Sequence, residues 1–151
     1  MTGSGEDERC RRAAAVCYRK ADSTIQFLLV TAGDVSRWTF PKGKLKKGEE
    51  PIEAARREVK EEAGAKGELE GPLTTYRYPA RPSAACPEYV VTAFLMRVEG
   101  RLHRQAPGDR HRERRWCGPR EAKELLALER EPRYAQEHAT VIDEAVAALA
   151  R

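Results

Sequence analysis

No apolar run in the 151 residues approaches the roughly 20 that a membrane-spanning helix needs, so no spanning segment and no membrane partner are expected. The opening residues, MTGSGEDERCRR, lack the apolar stretch of a secretory signal and read as a short flexible lead, 1–10. No internal repeat and no low-complexity tract is present. The four cysteines, Cys10, Cys17, Cys86 and Cys117, form no C-x-x-C pair, and no histidine pair stands at zinc spacing. They read as reduced thiols in a cytoplasmic setting, Cys17 being a small core residue. The basic clusters lack interleaved aromatics and are broken by acids, which argues against nucleic acid as a partner.

What remains is a chain that suits one domain, 11–151, large enough for a real core. The net charge is +4, and its distribution says more than its sum. Bases crowd 9–20, 42–47 and 101–115, whereas acids concentrate in 49–70. A basic surface around an acidic pocket suits an anionic ligand that arrives with a cation.

Apolar patterning predicts strands at 13–18 (AAAVCY) and 25–30 (IQFLLV), joined by the turn signal KADST, and a short strand at 38–40. Pro41 and Gly43 then punctuate a loop. A helix follows, with Pro51 in its first turn, an apolar stripe of Ile52, Ala55, Val59 and Ala63, and Gly64 as a left-handed cap. Strands are expected at 73–78 and 89–98, separated by the loop PARPSAACPE, and at 114–117 after a loop carrying PGD. Helices are expected at 119–128 and 138–149. Strands and helices mix without strict alternation, so the class is α/β, a mixed sheet with helices packed on it.

Glu58, Glu61 and Glu62 fall on one helical face, where like charges repel. A hard divalent cation resolves the conflict, because it wants several oxygens in one place. Mg²⁺ in particular is held by a few carboxylates together with substrate phosphates. Arg57 follows Glu53 by four residues and precedes Glu61 by four, so it can pair with either.

The spacing is specific. Gly43, five residues, Glu49, seven residues, then Arg57-Glu58-Val59-x-Glu61-Glu62-x-Gly64-Ala65 resembles the Nudix box, G-x5-E-x7-R-E-U-x-E-E-x-G-U, where U is a bulky aliphatic. All seven fixed positions match, and only Ala65 is smaller than usual. Chance would supply such a match about once in a hundred thousand chains of this composition. Around the box, Arg12-Ala13-Ala14, Ala65-Lys66-Gly67 and Arg115-Trp116 resemble the diphosphoinositol polyphosphate phosphohydrolase branch. FPKGK, residues 40–44, resembles dinucleoside polyphosphate hydrolases.

The resemblance implies an α/β/α sandwich with a central mixed sheet and a loop–helix–loop. It implies Mg²⁺ (Mn²⁺ possible as replacement) on Glu58, Glu61 and Glu62 with the Gly43 carbonyl, and Glu49 and Arg57 steadying the loop and helix. A water then attacks phosphorus in a diphosphate linkage of a small phosphorylated substrate. Glu113 is the candidate for a further catalytic glutamate outside the box. Lys42, Lys44, Arg12 and Arg19 are candidate phosphate ligands, and Arg110, Arg112, Arg114 and Arg115 can close over a charged substrate. Trp38 and Trp116 read as core anchors before base-stacking platforms. His103, His111 and His138 read as surface residues. Expected substrates are diadenosine polyphosphates or diphosphoinositol polyphosphates. The alternatives are an oxidised nucleoside triphosphate of the 8-oxo-dGTP type, or a catalytically silent ligand-sensing module.

Overall fold

A computed structural model describes residues 7–33 and 37–150. Strands β1 (Arg11–Ala21) and β2 (Thr24–Thr31) form a hairpin, with Asp22 at φ 58° in its turn, a conformation that short polar side chains tolerate. The two strands pair only over Cys17–Ala21 of β1. Beyond that they part, and residues 38–44 fill the gap. Strand β3 (Trp38–Thr39) pairs with β2, and β4 (Lys42–Lys44) pairs with β1, Ala13 facing Gly43. Residues 42–44, expected as loop, are therefore strand, because β1's backbone needs partners where β2 has left it.

Strand β6 (Glu88–Val98) runs parallel to β1 and antiparallel to β5 (Gly67–Pro79), and β7 (Arg114–Cys117) pairs with β2. The order is β3-β2-β1-β6-β5. Strand β5 starts six residues earlier than its apolar pattern predicts. Gly71 at φ 90° and two register shifts let it bend across the proline-containing stretch.

Helices cover both faces. Ala14, Val16 and Tyr18 pack with residues of α2 (Pro119–Ala127) and α3 (Pro132–Leu149), while Ala15 and Cys17 pack with Val59 and Ala63 of α1 (Pro51–Ala63). This two-sided cover explains why β1 reads as an unbroken apolar run. The architecture is the expected α/β/α sandwich around a mixed sheet.

Several expectations are corrected. Ile52 is 36% exposed, and the buried side of α1 is Ala54, Ala55, Val59, Glu62 and Ala63. The helix is turned so that a carboxylate replaces an aliphatic on its inner side. Helix α3 begins at Pro132, six residues early, since proline at the first position costs no hydrogen bond. His138 is fully buried, stacked on Phe40 and tilted against Tyr76, because its face of α3 also carries Val141 and Ile142.

Cys10 and Cys86 are joined in a disulfide, their Cα atoms 6.3 Å apart, within the range such a bond spans. The reading of four reduced thiols is thereby corrected, and the cytoplasmic setting loses that support. Cys17 and Cys117 are free and buried. Of the expected lead, residues 1–6 lie outside the described residues, and Glu8–Cys10 form a 3₁₀ turn. Among the described residues no helix is long and apolar enough to cross a membrane.

Candidate functional site

Helix α1 opens with a capping box, the Glu50 amide donating to Glu53 Oε1 at 3.2 Å, and closes on Gly64 at φ 66°. These caps fix which residues reach the inner face. Arg57 then gathers the acids. Its Nε and Nη2 donate to the two oxygens of Glu49 at 2.8 and 2.9 Å. Nη1 donates to Glu58 at 2.9 Å and to Glu61 at 3.4 Å, and Nη2 also reaches the Lys44 carbonyl at 2.9 Å. One guanidinium thus ties the 44–49 loop to the helix. Its hydrogen bonds hold the Glu49 carboxyl down at about 2.

Glu58 rests against Gly43, where any Cβ would overlap its carboxylate. Burial pushes its pKa up. Glu62 is 7% exposed; it accepts from the Lys42 amide at 3.0 Å and stands 3.5 Å from Arg112 Nη2. Burial drives its pKa to about 7, against the pull of those two cations. Gln105 donates to the Glu62 and Arg112 carbonyls at 2.7 and 3.2 Å, binding the end of α1 to the 105–112 loop.

Among the described residues no three acidic, histidine or cysteine groups already converge at metal-binding distance. Instead, Arg57 Nη1 is the cation between Glu58 and Glu61. The donor set is nevertheless all oxygen, which suits Mg²⁺ or Mn²⁺, and the Gly43–Glu58 approach is a cradle that only glycine leaves open.

Beside the acids lies a cleft of about 530 Å³, lined by Arg12, Arg37, Lys42, Arg81, Arg112 and Arg130 together with Thr39, Tyr78 and Tyr89. The two features meet at Lys42 and Arg112, which line the cleft and also touch Glu62. Burial pushes Lys42 down to about 8 and Arg130 to about 10. A concave, cation-walled space next to buried carboxylates can seat a polyanion with one phosphoryl group facing the acids.

Of the expected phosphate ligands, Arg12 and Lys42 line this cleft, and Lys44 lines a neighbouring depression with Arg57 and Glu58. Arg19 does not join them. It stands seven residues up β1, roughly 23 Å away, bonded to Gln26 and lying over Trp116. Of the four arginines in 110–115, only Arg112 lines the cleft. Arg110 donates to the Gln105 carbonyl, Arg114 binds the Ala63 and His103 carbonyls at the end of α1, and Arg115 pairs with Glu121. The Glu113 backbone is bonded to Thr31 in both directions, while its side chain is exposed. Trp38 and Trp116 pack against core clusters. Arg37, Arg81, Arg130 and Gln105 were not legible as site residues. Arg130 reads in sequence as an ordinary basic residue after a helix, and only the fold returns it to the cleft.

The family profile described as NUDIX domain matches residues 9–142. The asymmetrical bis(5'-nucleosyl)-tetraphosphatase of Mus musculus is 36% identical over 110 residues, 69% of this chain and 71% of that protein. Nudix hydrolase 4 of Arabidopsis thaliana is 37% identical over 101 residues, 67% of this chain and 47% of that protein. The human diphosphoinositol polyphosphate phosphohydrolase 3-alpha is 37% identical over 82 residues, 54% of this chain and 50% of that protein. The chain therefore spans about half the length of some of the curated relatives it matches. Among solved structures, C. elegans Ap4A hydrolase superposes with a TM-score of 0.72 at 27% identity, covering 93% of this chain and 98% of that one.

Proposed function

The chain belongs to the NUDIX domain family, and on that premise we propose that it hydrolyses a diphosphate linkage in a polyphosphate-rich small molecule, with Mg²⁺ or Mn²⁺ as cofactor. The observation that carries this reading is the junction at Lys42 and Arg112, where a cationic cleft meets the Glu62 carboxylate. Relatives named for a dinucleoside tetraphosphate and for diphosphoinositol polyphosphates support a diadenosine polyphosphate or a diphosphoinositol polyphosphate as substrate.

Glu58, Glu61 and Glu62, with the Gly43 backbone, are the proposed metal ligands. A divalent cation held there would offset phosphoryl charge and acidify water. The residues of the chain have separate tasks. Arg57 and Glu49 keep the loop against the helix, so that Glu58 stays in the Gly43 cradle. Arg12, Lys42 and Arg112 orient the phosphates, and Lys44 steers them from the neighbouring depression. A helix carboxylate takes the proton of the attacking water. Glu113, exposed just before β7, is the proposed additional acceptor. All of these tasks lie within the one domain proposed for 11–151.

The test is a phosphate-release screen of the purified chain over dinucleoside polyphosphates, diphosphoinositols, nucleoside diphosphate sugars and oxidised nucleoside triphosphates, with and without Mg²⁺. Turnover of a polyphosphate-rich member only when Mg²⁺ or Mn²⁺ is present is the expected result. Turnover that persists after chelation, or that is confined to oxidised triphosphates, would overturn the proposal.

A further inference from the structure

Two cations of the cleft depend on segments outside the sheet. Arg81 reaches it from the β5–β6 connection, residues 80–87. Within that connection the backbone makes two bonds: Ala84 N–H donates to the Arg81 carbonyl at 2.9 Å, and at the base Ala80 N–H donates to the Pro87 carbonyl at 3.0 Å. Residues 81–83, 85 and 87 are exposed, and none of 80–87 joins a core cluster. Among the described residues no side-chain hydrogen bond or ion pair ties 80–87 to the body of the fold. A loop with so few contacts opens locally at small cost. Arg12 leans on the second segment. Its guanidinium lies over Tyr89 and donates to the Arg9 carbonyl at 3.0 Å, inside the 3₁₀ turn Glu8–Cys10.

The Cys10–Cys86 disulfide joins these two segments. Cys10 ends the turn that orients Arg12, and Cys86 sits in the connection that presents Arg81. One covalent bond thus holds both cations at the cleft. Its two sulfurs differ in access, because Cys10 is 4% exposed whereas Cys86 is half-buried. Cys17 and Cys117 are buried and free, so thiol exchange is confined to the one accessible pair.

Resting on the cleft's proposed role as the polyphosphate seat, we infer that this disulfide is a redox latch on substrate affinity. The oxidised chain binds tightly and the reduced chain binds weakly. A dithiol reductant opens the latch. Its thiolate attacks the Cys86 sulfur, breaking the S–S bond and releasing the Cys10 thiolate, which takes up a proton. The second thiolate of the reductant then attacks the mixed disulfide and releases Cys86. The two cysteines gain two electrons and two protons, and the reductant leaves as its own disulfide. The loop then swings free with Arg81, and the 3₁₀ turn frays beneath Arg12.

Isothermal titration of the full chain with inorganic tripolyphosphate, without metal, tests this. The oxidised chain is compared with chain reduced by dithiothreitol and desalted without oxygen. Reduction should weaken binding about tenfold, since two long side chains must be ordered anew by the ligand, and reoxidation should restore it. Cys86→Ser should bind like the reduced parent under both conditions. Arg81→Ala keeps the disulfide; its oxidised form should bind more weakly than the oxidised parent, and reduction should then weaken it less than it weakens the parent. Elastase, which cuts after small residues such as Ala84 and Ala85, should nick the loop faster in the reduced chain while circular dichroism holds its folded signal.

Affinity within about twofold in the two redox states, or no binding by the oxidised chain, would overturn the inference. So would an equal loss on reduction in the parent and Arg81→Ala. Loss of the folded signal on reduction would do the same, because the bond would then hold the whole fold rather than the rim of the cleft. The readout is binding without metal. A chain whose affinity follows its redox state but which hydrolyses nothing would therefore sink the catalytic reading and leave the latch standing.

Discussion

Replacing Arg57 by alanine removes the group on which Glu49, Glu58 and Glu61 converge. Arg57 is 21% exposed, and Glu49 and Glu58 are 14% and 13% exposed, so water compensates only in part. The Glu49 carboxyl sits at about 2 instead of 4.5, chiefly through its hydrogen bonds from Arg57. At 1.36 kcal/mol per pKa unit that coupling has a ceiling of about 3 kcal/mol. The loop borders solvent, and screening reduces it to about 1–2 kcal/mol. Loss of the bonds to Glu58 and the Lys44 carbonyl adds about 1 kcal/mol. Arg57→Ala should therefore destabilise the fold by about 2–3 kcal/mol at pH 7, read as a lowered urea midpoint at unchanged slope. The sign of the pH dependence follows from the depressed carboxyl. Its stabilisation is complete above pH 4.5 and disappears as pH falls towards 2, so the gap between parent and variant should narrow over that window. Arg57→Lys should recover little, because an ammonium cannot make the paired contact with Glu49. A loss under 0.5 kcal/mol, or a gap that stays constant down to pH 2.5, would refute the reasoning.

Burial holds the His138 pKa at about 3, helped by the nearby Arg130, so the unfolded chain takes up a proton below 6.5 that the folded chain refuses. Stability should fall with acidity, and between pH 7 and 5 the parent should lose about 2 kcal/mol more than His138→Phe in urea titrations. The disulfide closes a span of 76 residues. Its reduction should cost about 4–5 kcal/mol on the loop-entropy model, with thiol titration in denaturant rising from two to four; four thiols before reduction would contradict the bond. Gly43→Ala would drive a Cβ into the Glu58 carboxylate and should weaken Mn²⁺ binding, followed by electron paramagnetic resonance, by at least about tenfold.

The acid-bearing helix was legible because its signals are local. Pro51, Gly64 and the spacing of its acids fix both ends and the shared face, and the helix runs over Pro51–Ala63. Its rotation was less legible. Ile52 reads as core by hydropathy, yet the buried side carries Glu62, since the face is decided by what β1 and β6 present to it. Residues 42–44 read as loop because their strand character comes from the divergence of β1 from β2, a non-local event. The cleft was only half legible. Arg12 and Lys42 lie near the box or carry the resemblance, whereas Arg37, Arg81 and Arg130 reach it from three separate connections. His138 and the Cys10–Cys86 pair escaped for the same reason, their partners lying 62 or more residues away in the chain.

Phosphate release from a polyphosphate substrate in saturating Mg²⁺, measured side by side for the parent chain and Glu62→Gln, tests the central claim most directly. Glutamine keeps the shape and the bond from the Lys42 amide while removing the charge. Turnover should fall by about 10²–10⁴-fold with the thermal midpoint held or raised. Equal turnover in the two proteins would contradict the account.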